Sequence, residues 1–172
     1  MIKEEPKADV LDHSYRGLLD NSLKLQDLFF EEQKSERPPV LPAILIVDDE
    51  AMNIEVIQAM IENLNHKSDA CMSGQEALTL IEARIQQFQL QSQEMYKIII
   101  LDYSMPQMDG PQVALHIRQR LEQLRIRIPY ICCATAYTEH SFKQNAAAYG
   151  MDYFLTKPFS YHELKIMLEK LT

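Results

Sequence analysis

Residues 97–110, KIIILDYSMPQMDG, decide the fold of this chain. The apolar run at residues 97–101 has the length of a buried strand, and it stops abruptly at Asp102. Gly110 gives the backbone the freedom to reverse direction after the strand. An amphipathic stretch follows and predicts a helix over residues 111–124, with proline at its first position. The segment therefore predicts a buried strand, an acidic loop and a helix.

The same alternation of a short apolar run and a helix-length stretch extends outward in both directions. The predicted strands are residues 43–47, 68–72, 97–101, 130–134 and 153–155, of which the second is the weakest. The predicted helices are residues 52–64, 75–90, 111–124 and 139–149, followed by a last helix that begins after Ser160, with Glu163 completing a capping box. Five successive strand-helix units predict an α/β fold, a five-stranded parallel doubly wound sheet.

Hydrophobic spacing assigns a buried side to the second predicted helix. Apolar residues recur there at helical spacing, at Ala77, Leu78, Ile81, Ile85 and Phe88. This periodicity is typical of a helix that covers one face of a sheet. We therefore expect these five side chains to face the core.

Composition excludes several classes of protein. The 172 residues carry 25 acidic and 17 basic side chains, a formal net charge of −8. This balance argues against nucleic-acid binding, which needs a basic face. No apolar run reaches the roughly 20 residues that span a bilayer. The three cysteines, Cys71, Cys132 and Cys133, are expected to be reduced core thiols, with the adjacent pair on opposite faces of a strand, so we expect a cytoplasmic location.

The first 41 residues differ from the rest of the chain. They mix charged and scattered apolar residues and close on Pro38 and Pro39, with Pro42 directly after them. We interpret residues 1–41 as a linker or leader, partly helical or disordered, and residues 42–172 as the globular domain. Two interpretations of the leader stay open: a passive tether, or a docking or dimerising helix.

Polar side chains follow several of the predicted strands at the point where each strand ends. Asp48 and Asp49 follow the first strand, Asp102 the third, Thr135 the fourth and Lys157 the fifth. Alone, each is more often a turn former, a strand-end hydroxyl or a solvated charge. Together they lie at the carboxyl edge of one parallel sheet, where ligands bind. Three carboxylates in one place repel one another and need a cation, and oxygen-only ligands suit Mg²⁺.

These segments together resemble the receiver domain of two-component response regulators. The resemblance is carried, in order and spacing, by ILIVDDEAMN, SGQEAL, IIILDYSMPQMDG, CCATA and FLTKPF, and it covers about residues 42–172. It implies the flavodoxin-like (βα)5 receiver fold and a role in phosphorelay signal transduction. The resemblance leaves two contexts open, a stand-alone receiver or, as the favoured one, the C-terminal receiver of a hybrid histidine kinase.

The resemblance implies a role for each residue of the acidic set. Asp102 matches the phosphoacceptor, which takes a phosphoryl group from a phosphohistidine. Asp49 matches the direct Mg²⁺ ligand, Asp48 the ligand that acts mainly through water, and the backbone carbonyl of Ser104 the third protein ligand.

Three further positions match residues that handle the phosphoryl group. Lys157 would pair with its oxygens, and Thr135 would hydrogen-bond one of them. Phe154 stands at the position of the switch aromatic, where tyrosine is more common. Phosphorylation would then alter the surface made by the predicted fourth helix, fifth strand and fifth helix.

The expected partners are a histidine kinase or phosphotransfer protein as donor and a downstream protein, with no nucleic acid and no membrane span in this chain. The domain would catalyse only its own phosphorylation and dephosphorylation, and so would not be an enzyme in the ordinary sense. One alternative is an Asp-nucleophile phosphohydrolase, although such enzymes usually carry a second Asp where this chain has Ser104. The other is a docking module that works without phosphorylation.

Overall fold

The computed structural model describes residues 41–136 and 146–171. Their strands form one parallel sheet in the order β2-β1-β3-β4-β5. The strands are β1 (Ile44–Val47), β2 (Ser68–Cys71), β3 (Ile98–Asp102), β4 (Tyr130–Thr135) and β5 (Tyr153–Thr156). The predicted fold class is confirmed, and each strand lies within one or two residues of its predicted bounds.

Four helices are described in full. They are α1 (Ala51–Asn63), α2 (Gly74–Gln91), α3 (Gly110–Gln123) and the C-terminal helix α4 (Tyr161–Leu171). The helix predicted at residues 139–149 lies mostly outside the described residues, although residues 146–148 are helical. Residues 1–40 also lie outside them, so the division at residue 41 stays a prediction. Within residues 41–136 and 146–171, no helix is both long and apolar enough to cross a bilayer.

The core has two layers, one on each face of the sheet. The helices α2 and α3 pack on one face, and α1 and α4 pack on the other. Since both faces are covered, the strands β1 and β3 are buried at every position. Cys133 belongs to the first layer and Cys132 to the second, and both are free thiols, as predicted.

Two capping boxes define where helices begin at the carboxyl edge of the sheet. The Ser160 hydroxyl accepts a hydrogen bond from the Glu163 N–H, and the Glu163 carboxylate accepts from the Ser160 N–H, as predicted. At α3, Asp109 and Gln112 exchange the same pair of bonds, which the sequence analysis missed. Both boxes fix the direction in which a loop leaves the sheet.

The predicted reason for Gly110 is wrong. The φ of Gly110 lies outside the left-handed region, so no unusual reversal requires glycine there. A Cβ at this position would instead lie 2.3 Å from the carbonyl oxygen of Asp102. Glycine is required because the first turn of α3 packs directly against the end of β3.

The buried side of α2 is shorter than predicted. Ala77, Ile81 and Ile85 are buried, but the Phe88 side chain is 40% exposed. Arg84 is buried instead, 4% exposed. Its guanidinium donates to the Asp69 carboxylate and to the carbonyls of Pro42 and Glu94. Because the charged Arg84 takes a buried position on this helix, the spacing of apolar residues wrongly predicted that Phe88 is buried.

Candidate acidic site at the carboxyl edge of the sheet

A cleft of about 420 Å³ opens at the carboxyl ends of the strands. Its lining includes every predicted site residue except Phe154: Asp48, Asp49, Asp102, Ser104, Thr135 and Lys157. They meet because β1, β3, β4 and β5 are parallel and in register, so the residues that follow them emerge at one edge. The structure therefore brings these six residues together at the predicted edge of the sheet, and their roles stay predictions.

Lys157 connects the two buried carboxylates of the cleft. Its ammonium donates to Asp48 Oδ2 at 2.6 Å and to Asp102 Oδ1. Its backbone N–H donates to the Thr135 carbonyl at 2.7 Å, which fixes the start of the loop after β5. Burial alone would lower the pKa of Lys157, but the hydrogen bonds to Asp102 and Asp48 and the charges of these carboxylates together raise it.

Asp102 ends the central strand β3 and is 7% exposed. Burial raises the pKa of its carboxyl group above the ordinary 3.8, and Lys157 opposes that shift. The charges of Asp48 and Asp49 raise the pKa further. The upward shift is therefore due first to burial, whereas the charge of the cleft follows from its lining, where three aspartate carboxylates face one ammonium.

Asp48 is held in a fixed orientation. Its Oδ1 accepts from the Glu50 N–H at 3.0 Å and from the Asn53 side-chain amide at 2.9 Å. Asn53 lies in the first turn of α1 and lines the cleft, but the sequence analysis gave it no role. Its position five residues after Asp48, where α1 begins beside the cleft, was the available signal. Asp49 is half-buried and lines the same cleft.

Thr135 and Phe154 lie on neighbouring strands. Thr135 is 2% exposed at the end of β4. Phe154 pairs in register with Cys133 and packs, half-buried, against the layer formed with α2 and α3. Tyr153 packs against the opposite layer, so the two rings lie on opposite faces of the sheet. Phe154 therefore lies behind the cleft, not in it.

The donor set of the cleft fits Mg²⁺. Asp48, Asp49 and Asp102 supply carboxylate oxygens and Ser104 a backbone carbonyl, all lining one space. Within the described residues, no three acidic, histidine or cysteine side chains are grouped closely enough to enclose a metal by themselves. Mg²⁺ does not need such a cage, because it binds through one or two carboxylates and keeps several waters. The excess negative charge on Asp102 and its neighbours favours a cation here.

Comparison with known proteins identifies the family. The model of the response regulator receiver domain matches residues 44–169, which contain the whole sheet and the cleft. The chain belongs to this family. A receiver domain of this kind is a module of two-component signalling, so the predicted family and fold are both confirmed.

Individual relatives agree with that assignment. The receiver domain is 33% identical over 140 residues to hybrid signal transduction histidine kinase L of Dictyostelium discoideum, covering 81% of this chain and 8% of that protein. It is 33% identical over 143 residues to the sensor histidine kinase GacS of Pseudomonas protegens, covering 83% and 14%. The chain therefore spans a small part of the length of these curated relatives.

Solved structures show the same fold. The crystal structure of the receiver domain of the Arabidopsis thaliana histidine kinase CKI1, complexed with Mg²⁺, matches with a TM-score of 0.68 and 25% identity, over 76% of this chain and 92% of that one. The chemotaxis protein CheY4 of Vibrio cholerae matches with a TM-score of 0.63 and 23% identity, over 75% and 97%. At 23% identity, the similarity to CheY4 shows the fold alone.

Proposed function

We propose that the receiver domain accepts a phosphoryl group from a phosphohistidine onto Asp102 in the presence of Mg²⁺. The observation that supports this most is the pairing of the Asp102 carboxylate with the Lys157 ammonium at the mouth of a cleft that holds two further carboxylates. Phosphoryl transfer depends mainly on positioning and on neutralising charge. The cleft provides a nucleophile and a fixed cation in one place.

The proposed step is a direct displacement at phosphorus. An Asp102 carboxylate oxygen forms the new P–O bond while the P–N bond to the donor imidazole breaks, and the bonding electron pair stays on that nitrogen. Mg²⁺, when bound by Asp49, Asp102 and the Ser104 carbonyl with Asp48 acting through water, supplies positive charge beside the transferred oxygens. Lys157 exchanges its contacts with the carboxylates for contacts with those oxygens.

Thr135 and Phe154 would report the change to the surface. Thr135 ends β4 beside Asp102, where its hydroxyl would bond a phosphoryl oxygen. Phe154 lies on the neighbouring strand, packed against the layer formed with α2 and α3, and would move inward as Thr135 shifts. Partners would then recognise the altered surface made by the predicted fourth helix, β5 and α4.

The proposed donor is a histidine kinase or a phosphotransfer protein, and the proposed context is a hybrid histidine kinase in the cytoplasm. Several similar proteins are hybrid kinases, which supports the context. The apolar side chains of Met52, Val56 and Phe159 line a groove that also reaches Lys157, so a donor could contact the domain beside the cleft. We propose no enzymatic activity on other substrates.

Intact mass after incubation with acetyl phosphate and Mg²⁺ tests the acceptor. We expect one added phosphoryl group in the wild type and none in Asp102→Asn. Asp109→Asn is the matched control, because Asp109 lies in the loop after β3 and asparagine still caps α3. Full labelling of Asp102→Asn would refute the assignment, and sustained hydrolysis of a phosphate monoester, which would not serve as a donor for Asp102, would favour the phosphohydrolase alternative.

Two further variants separate the roles of Lys157 and Thr135. We expect Lys157→Ala to lose labelling, because the transferred oxygens lose their fixed cation. Thr135→Ala should still be labelled, but its NMR spectrum around Phe154 should change little on phosphorylation. Wild-type spectral changes in phosphorylated Thr135→Ala would show that Thr135 does not transmit the signal.

A further inference from the structure

A second cleft, here called the basal cleft, opens at the opposite edge of the sheet, where β3 and β4 begin. Its volume is about 330 Å³. It lies between the end of α2, the segment before β3, the segment before β4 and the end of α4. No residue of the acidic site lines it, so it is a separate feature of the domain.

The basal cleft exposes aromatic rings on a rigid base. Phe88 and Tyr130 line it and are each 40% exposed, so both rings are open to a partner. Tyr96 lies in the same lining, and its hydroxyl donates to Asp69 at 2.6 Å while the Arg84 guanidinium stacks over its ring. The Tyr130 N–H donates to the Lys97 carbonyl at 2.9 Å. The walls are therefore preformed, and a partner would pay little to order them.

The rim of the basal cleft is cationic, although the chain as a whole carries −8. Lys97 and Arg127 are exposed and line the cleft, with Glu94 as the single acidic residue in the lining. Lys97 pairs with Glu94 at 3.4 Å, with both side chains more than half exposed, so this pair is weak. The charge is thus opposite to that of the acidic cleft.

We propose that the basal cleft docks an acidic segment of a partner protein that carries an aromatic or aliphatic side chain. The apolar side chain fits between Phe88 and Tyr130, and the flanking carboxylates pair with Lys97 and Arg127. A volume of about 330 Å³ accommodates one or two side chains, not a whole helix face. Because the cleft shares no residue with the acidic site, this contact does not depend on the proposed phosphorylation.

NMR titration of the full ¹⁵N-labelled chain at low salt tests the proposal. The probe is the acetylated, amidated peptide EDLFEE, and its matched control is the neutral peptide QNLFQQ. We expect saturable amide shifts at residues 94–97 and 126–130 with the acidic peptide. The neutral peptide should bind roughly fivefold more weakly, the effect of losing two exposed ion pairs.

Variants assign the effect to the rim. The double variant Lys97→Gln with Arg127→Gln should bind the acidic peptide roughly fivefold more weakly. Arg125→Gln, an exposed cation that does not line the basal cleft, should retain wild-type affinity. Equal binding of both peptides, shifts centred elsewhere, or no shifts would overturn the proposal. Shifts that follow protein concentration without peptide would also overturn it, in favour of a second copy as the occupant.

Discussion

The acidic side chains at the two edges of the sheet, where the strands begin and where they end, differ in how far their charge is balanced. At the amino edge, the Asp69 carboxylate has two donors, with Arg84 Nη2 at 2.8 Å and the Tyr96 hydroxyl at 2.6 Å. At the carboxyl edge, Asp48 and Asp102 share the ammonium of Lys157, and the Asp49 carboxylate lines the same cleft. A balanced cluster stabilises the fold, whereas an unbalanced one leaves a demand for a cation. A balanced cluster of this kind is typical of a structural role, and an unbalanced one is typical of a binding site.

The largest expected effect is at the balanced edge. Arg84→Met removes the partner of Asp69 and leaves the Pro42 and Glu94 carbonyls without this donor. Breaking a buried ion pair costs about 3–5 kcal/mol, and the 35% exposure of Asp69 moves the expectation to the lower end, about 3 kcal/mol. Urea unfolding measures it. The exposed pair Arg120–Glu82 is the control, where Arg120→Met should change the free energy of unfolding by less than about 1 kcal/mol.

Mg²⁺ should stabilise the unbalanced edge by a similar amount. A ligand that binds only the folded state adds about 2.7 kcal/mol to the free energy of unfolding at 100 times its Kd. We expect this gain in thermal or urea unfolding of the wild type with Mg²⁺ against EDTA. Asp49→Asn should lose most of it. An undiminished gain in that variant would mean that the ion binds elsewhere.

In the absence of metal, the two edges should respond to charge removal with opposite signs. Asp49→Asn relieves repulsion with its neighbours and should raise the free energy of unfolding by about 0.5–1 kcal/mol, since Asp49 is half-buried. Asp69→Asn leaves the buried Arg84 charge without its carboxylate and should lower the free energy of unfolding by about 2 kcal/mol. Unfolding in EDTA checks both. If both variants changed the free energy of unfolding in the same direction, the two edges would not differ in charge balance.

The smallest effect concerns Glu163 in the capping box of α4. Hydrogen bonds from the Ser160 N–H and hydroxyl hold the pKa of Glu163 below its ordinary 4.5. A lowered folded-state pKa stabilises the protein above the unfolded value, and this contribution disappears as pH falls through the folded value. The free energy of unfolding should therefore be slightly higher for the wild type than for Glu163→Gln at pH 7, and this difference should shrink below pH 4.5. A difference that does not change with pH would assign it to hydrogen bonding alone.

The site was predictable because its geometry follows from topology. Once residues 97–101 are a strand of a parallel sheet, Asp48, Asp102 and Lys157 must meet at its carboxyl edge. The sheet order and the register confirm this. The predicted site residues of the cleft lie at the last position of a strand or shortly after it, so small errors in the strand bounds did not displace them.

The cluster at the amino edge was not predictable in the same way. Asp69 is hydrogen-bonded to Arg84, 15 residues further along the sequence, and to Tyr96, 27 residues further along. No period or motif links these three residues. A lone arginine within an amphipathic helix is ordinarily exposed, so apolar spacing gave Phe88 the buried position. The role of Gly110 was missed for a related reason, because a close contact with the Asp102 carbonyl is a tertiary feature.

The polarity of β2 also bears on solubility at high concentration. Within the described residues, β2 is an outer strand of only four residues, and Ser68, Asp69 and Ala70 are half-buried. A strand from another molecule that paired along this edge would have to cover the partly exposed Asp69 carboxylate, which is already bound to Arg84. Short, charged outer strands of this kind disfavour edge-to-edge aggregation. Replacing Asp69 with an apolar residue would therefore promote fibrillar association as well as weaken the fold.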